Sequence, residues 1–155
     1  MLHIARRFEE AVTSFRRALE IEPEGTGAHL YLTLSFEQLG RDAEALGELE
    51  RAALARGRDA DHVRLLRARF EEAGMAGAWT QWLEWQLEAE SPRPGPVAVT
   101  YARLGMADET FLWLDRAVAA RDSWLFQLPD PLWDPVRSDP RFDELLRRTG
   151  LGGGL

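Results

Sequence analysis

The sequence predicts an all-α fold built from repeated pairs of helices. Three observations predict it. The chain matches itself at a shift of 34 residues, the length of one helix–turn–helix repeat unit. Its apolar residues recur at threes and fours, the period of one helix face. No run keeps the strict alternation of a half-buried strand.

The self-match involves particular residues. At the 34-residue shift Ala11 falls on Ala45, Ala18 on Ala52, Leu32 on Leu66, Phe36 on Phe70 and Gly40 on Gly74. The polar flanks agree, since Arg7 meets Arg41 and Glu10 meets Glu44. A further unit begins near Thr100 and places Tyr101 and Gly105 four apart, as Phe36 and Gly40 are, at a spacing of 31 from the preceding unit.

In chain order, FEEAVTSFRRALEIEP carries Phe8, Ala11, Val12, Phe15, Ala18 and Leu19 at helical spacing, and Pro23 with the following Glu-Gly ends that helix. HLYLTLSFEQLG makes a second apolar helix, with Gly40 in a turn that needs a left-handed residue. AEALGELERAALARG follows and stops near Gly57. Near the C-terminus, prolines at 131, 135 and 140 cut the backbone into short turns. Asp139 is placed to cap the last helix with Pro140 at its first position, and Phe142, Leu145 and Leu146 supply its apolar face.

FEEAVTSFRRALEIEP resembles the second helix of a tetratricopeptide repeat, with Ala11, Phe15, Ala18 and Pro23 on the family's alanine, aromatic, alanine and proline positions. The unit from Thr26 to Asp59 carries Leu32, Phe36, Ala45, Leu49 and Ala52 on the family's main positions. The third keeps Leu66, Phe70 and Gly74 but places Trp79 where a small alanine is expected and Arg67 where the family prefers glycine. The fourth keeps Ala98, Tyr101, Leu114 and Ala117, with Thr110 in an alanine position. The resemblance implies a right-handed αα-superhelix closed by a short capping segment and helix. It implies one domain over 1–150: a partial repeat over 1–25, repeats over about 26–59, 60–90 and 91–122, and a cap over 123–150. Residues 151–155, the glycine-rich end, are expected to be a disordered tail.

The ending, SWLFQLPDPLWDPVRSDPRFDELLRRTGL, is similar to the closing segment of tetratricopeptide regions attached to bacterial signalling proteins, including transcriptional regulators, nucleotide cyclases and kinases. Trp124, Asp130, Pro131, Asp134, Pro135, Arg137, Asp139, Pro140, Arg141 and Phe142 carry that likeness. At the other end the first unit lacks most of its first helix. An uncapped repeat end exposes an apolar face, here Leu2, Ile4, Phe8, Val12 and Phe15. The chain therefore reads as a C-terminal fragment of a larger protein or a shortened reading frame.

Charge and composition narrow the function. A net charge of −7 argues against nucleic acid, whose phosphates need a basic face, and leaves no polybasic patch for an anionic membrane. With no cysteine, disulfides, thiol catalysis and zinc–thiolate sites are excluded. No stretch reaches the roughly 20 apolar residues of a membrane span, and the N-terminus has no signal-peptide layout, so a cytoplasmic location is expected. His3, His29 and His62 lie in separate units with no metal-ligand spacing, and no serine has a nucleophile-elbow setting. His29 and His62 stand near helix starts, in solvated or capping positions. Carboxylate pairs such as Glu9–Glu10 and Glu71–Glu72 read as solvated faces. The chain is expected to be no enzyme and to hold no metal or cofactor.

Trp79, Trp82 and Trp85 recur every three residues, and Trp113, Trp124 and Trp133 follow. They read as packing residues, with Trp82 as the exception left for a ligand, because three tryptophans on one helix are hard to bury together. The resemblance implies a concave groove lined by the first helix of each unit, which binds a protein or peptide partner. Its groove positions are Leu30, Leu34, Glu37 and Gln38, then Arg64, Ala68, Glu71 and Glu72, then Val99, Ala102 and Arg103. One family subclass holds a partner's C-terminal carboxylate with lysines and asparagines. This chain contains neither residue, so that clamp is absent in its usual form, although Arg64 can meet a carboxylate with two bonds. The expected role is a protein-binding module at the regulatory end of a larger bacterial signalling protein. The alternative is a homodimer formed through an exposed N-terminal face of Phe8, Val12 and Phe15.

Overall fold

The computed structural model describes residues 2–123 and 133–151. Among these residues are eight helices and no strand: α1 (Leu2–Ile21), α2 (Thr26–Gln38), α3 (Asp42–Ala55), α4 (Ala60–Glu88), α5 (Pro94–Arg103), α6 (Ala107–Ala120), α7 (Asp134–Arg137) and α8 (Pro140–Thr149). The fold is all-α and repeat-like, with successive helices packed as neighbours. The chain divides into two compact units, residues 1–78 and 79–155.

In the first unit α2 packs on both α1 and α3. The α1 helix stops at Ile21 because Pro23 cannot continue it. The turn from α2 to α3 is built on Gly40, whose φ of 72° is open to glycine at no steric cost. The Arg41 amide reaches back to the Phe36 carbonyl at 2.8 Å, closing the helix end as a Schellman motif does. The aligned turn in the second unit repeats this arrangement. Gly105 has φ 71°, and the Met106 amide donates to the Tyr101 carbonyl at 3.1 Å. The Phe–Gly and Tyr–Gly pairs read from the sequence are therefore one structural device used twice.

The third aligned glycine breaks α4. Gly74 has φ 67° and ψ −152°, a region essentially restricted to glycine. It divides α4 into stretches over 60–73 and 75–88. Just beyond the break, a Cβ built on Gly77 would lie 2.1 Å from the Arg69 carbonyl oxygen. The backbone just after the break passes so close to Arg69 that position 77 admits no side chain.

The small residues of the first unit behave unequally. Ala45 and Ala52 of α3 are fully buried at 0% exposure, whereas Ala11 is half-buried and Ala18 is exposed. Ala18 therefore sits on the family's alanine position without packing inward. In the second unit α5 packs on α6 and α8 on α6. Asp139 caps α8 by accepting from the Arg141 amide at 2.9 Å, with Pro140 opening the helix. Phe142 and Leu145 are buried beneath it. Trp79, Trp82, Trp85 and Trp133 are all buried, which corrects Trp82 as a surface exception. Trp113 is half-buried with Arg116 over its ring at 4.4 Å. Trp124, Asp130 and Pro131 lie outside the described residues, as does the tail beyond Leu151.

Candidate functional site

The helix α2 was expected to line the groove, and most of it is interior. Leu30, Leu32, Leu34 and Phe36 are buried, as are the polar residues His29, Thr33 and Ser35 between them. A helix buried on several sides must satisfy its polar groups internally. His29 does so with both ring nitrogens: Nδ1 meets Glu48 Oε2 of α3 at 2.8 Å, and Nε2 meets the Pro23 carbonyl at 3.2 Å. Glu48 uses its other oxygen to accept from Arg51 at 2.8 Å. The Thr33 hydroxyl donates to the His29 carbonyl at 2.9 Å. His29 therefore ties the α1–α2 connection to α3 and is no solvated cap. His62 does take part in a helix start: Asp59 Oδ1 accepts from the amides of Asp61 and His62 and meets His62 Nδ1 at 2.8 Å. These contacts hold the Asp59 carboxyl below its ordinary range, the His62 amide first among them.

Of the α2 groove residues, Leu30 and Leu34 are core residues, Glu37 is half-buried and Gln38 is exposed. Val99 and Ala102 of α5 are buried, and Arg103 is half-buried. Leu30, Leu34, Val99 and Ala102 are thus corrected from surface anchors to interior packing, because their helices are apolar on more than one face. The first stretch of α4 differs. Arg64, Ala68, Glu71 and Glu72 are all exposed, and Leu65 beside them is 42% exposed. Leu66 alone in that stretch is fully buried, flanked by half-buried Val63 and Phe70. One broad solvent-facing side of α4 therefore carries an apolar strip of Leu65 and Ala68 between charged residues. Arg64 pairs with Asp61 on the same helix.

Arg67 explains one departure from the repeat pattern. Its guanidinium donates to both Glu50 oxygens, at 2.8 and 3.0 Å. This fork-on-fork contact raises the arginine above its ordinary pKa and links α4 to α3. A glycine there could not make it.

The expected N-terminal oligomer face is also corrected. Phe8 and Val12 are buried, and Phe15 is half-buried, stacked on Tyr31 of α2 at 4.8 Å between ring centroids. The apolar stripe of α1 is sealed by α2 within the unit. Arg41 and Arg16 both lie over the Phe36 ring, at 4.8 and 5.4 Å. Arg41 donates to Glu44 at 2.7 Å and reaches Glu9 of α1 at 3.3 Å. The hydrogen bond from Arg41 lowers the Glu44 carboxyl below its ordinary range. The side chains of Leu2 and Ile4, also assigned to that face, lie outside the described residues.

Among the described residues no group of three or more histidines and carboxylates is placed to hold a metal ion. No described helix is long and apolar enough to cross a membrane. A tetratricopeptide-repeat family model matches residues 2–70, the stretch from α1 through the exposed part of α4. No curated protein and no solved structure matches the chain.

Proposed function

We propose that the chain is a protein–protein interaction module that presents the outer side of α4 to a protein or peptide partner. The observation that carries this reading is the exposed strip of Leu65 and Ala68 flanked by Arg64, Glu71 and Glu72. Central apolar contacts rimmed by charge suit a protein partner, the rim setting orientation and on-rate. The similarity of residues 2–70 to a repeat family whose usual work is protein binding adds support. Of the expected groove residues, Gln38, Arg64, Ala68, Glu71 and Glu72 are the exposed ones. Leu30, Leu34 and Val99 contribute by supporting the helices from inside. We further read the module as the regulatory part of a cytoplasmic bacterial signalling protein, on the likeness of the segment from Asp134 to Phe142 to the ends of such regions.

The test is quantitative capture from the source cells with the wild-type chain and with Ala68→Glu and Arg64→Glu. Each variant is checked for unchanged helicity. A partner captured by the wild type and lost with both variants supports the α4 surface. Equal capture by all three chains overturns it.

A further inference from the structure

The buried contact between His29 and Glu48 needs a proton that a neutral imidazole and an ionised carboxylate do not supply. His29 Nε2 lies 3.2 Å from the Pro23 carbonyl oxygen. A carbonyl oxygen only accepts, so Nε2 carries a hydrogen. In a neutral ring Nδ1 is then a bare acceptor. It lies 2.8 Å from Glu48 Oε2, and an ionised carboxylate also only accepts. That separation is the length of a hydrogen bond, so a hydrogen stands between the two atoms. Both residues are buried, where two facing lone pairs are poorly screened.

Arg51 decides which partner holds the hydrogen. Its Nη1 donates to the other Glu48 oxygen at 2.8 Å, and a cation there favours the ionised carboxylate. Of the two helices packed on α2, α3 brings Glu48 to the ring, with Arg51 behind it. The α1 side brings the Pro23 carbonyl, and among the described residues no second carboxylate forms an ion pair with His29. We infer that His29 stands as an imidazolium between Glu48 and the Pro23 carbonyl and is a pH-sensitive latch on α2. The protonated ring makes both bonds, so the stability it confers is present at lower pH and is lost as pH rises. Without the Nδ1 proton, two acceptors face each other and the tie from α2 to α3 becomes a repulsion. Leu30 and Leu34 lie on the helix that the latch holds. This inference does not rest on the partner reading of α4.

Nitrogen NMR of the His29 ring, in the full chain folded and in urea, tests it. In the folded protein both ring nitrogens carry hydrogens at neutral pH, and the second hydrogen leaves at a higher pH than it does in urea. Amide exchange over residues 28–34, corrected for the intrinsic effect of pH, accelerates about tenfold from neutral to alkaline pH, as expected when one buried hydrogen bond is lost. Exchange in α6 of the second unit does not, which separates release of α2 from global unfolding. Glu48→Gln can offer an amide N–H to the unprotonated Nδ1, so its bond persists without the extra hydrogen and the acceleration disappears. A folded ring with one hydrogen at neutral pH, or a second hydrogen lost at the same pH in folded and unfolded chains, overturns the inference. So does exchange over 28–34 that ignores pH, or that responds to pH in Glu48→Gln as it does in wild type. The ring measurement uses the wild-type chain alone and decides the matter even if Glu48→Gln folds poorly.

Discussion

Two glycines inside helices should respond to the same substitution with opposite signs. Replacing a helix-interior glycine with alanine normally stabilises by about 0.5–1 kcal/mol, because glycine loses more backbone freedom on folding. Gly47 of α3 meets that condition. A Cβ there would have only the Arg51 Nη1 atom nearby, at 3.7 Å, and that is the mobile end of a long side chain. For a chain of this length 1 kcal/mol corresponds to about 2–4 °C in Tm, so Gly47→Ala should raise the midpoint by about 1–4 °C.

At Gly77 the added methyl would sit 2.1 Å from the Arg69 oxygen, 2.8 Å from its carbonyl carbon and 3.2 Å from the Ala73 Cβ. The first two are backbone atoms, so relief requires the backbone at Gly77 and at Arg69 to move apart. Overpacking of this kind costs about 1–3 kcal/mol and sometimes more, which outweighs the helical gain. Gly77→Ala should therefore lower the midpoint by several degrees, about 2–8 °C on the same scale. Far-ultraviolet circular dichroism melts of the two variants against wild type measure both signs. Amide hydrogen exchange over residues 60–78 localises the Gly77 effect. A Gly77→Ala protein that melts at or above the wild-type temperature refutes the close approach of Gly77 to the Arg69 backbone.

The remaining predictions use other parts of the fold. Arg121 is left-handed at φ 52° and closes α6, with the Asp122 amide donating to the Ala117 carbonyl at 2.9 Å. Arg121→Gly removes a left-handed penalty of about 1–2 kcal/mol against a smaller entropic cost of glycine, so chemical denaturation should show a net gain. Leu34 is 1% exposed, and Leu34→Ala should cost about 2–5 kcal/mol. Urea titration should show that loss, and any loss of partner capture by this variant then reports unfolding. Asp139 is held at about 2, below its ordinary 3.8, chiefly by the Arg141 side chain and then by the Arg141 amide. A depressed carboxyl stabilises fully above its unfolded value and loses that contribution as pH falls toward its folded one. Asp139→Asn retains a capping oxygen but not the charge. Its stability should differ from wild type above pH 3.8 and converge with it near pH 2 when both are followed by acid titration.

The elements that the sequence disclosed are those fixed by local chemistry. Gly40, Gly74 and Gly105 align by repeat spacing, and each has the positive φ that only a break or turn requires. Asp139 and Pro140 name the start of α8 because a cap and its first residue are neighbours in sequence. What stayed hidden depends on which neighbour covers a face. Period alone gives Phe8, Val12 and Phe15 as one stripe of α1 but does not say that α2 seals it. The same limit applies to Leu30 and Leu34, whose spacing suits a groove and a core equally. The close contact at Gly77 was hidden for a different reason: two glycines lie near the break, and only the backbone path shows which one meets Arg69. The pairing of His29 with Glu48 joins residues 19 apart on separate helices, a distance at which no local pattern predicts a bond.

That buried pair also bears on where a partner can bind. A charged or polar group inside a fold gives little net stability, and removing one member leaves the other without compensation. The two ring contacts of His29, to Glu48 and to the Pro23 carbonyl, therefore work as a constraint: α2 can rotate only by breaking both together. Rotation is the motion that would bring Leu30 and Leu34 to the surface. With α2 held, the exposed residues of the first stretch of α4 are the ones the proposed partner reading uses. Their exposure to solvent, together with their mixed charges, suits contacts that form and release while the core stays closed.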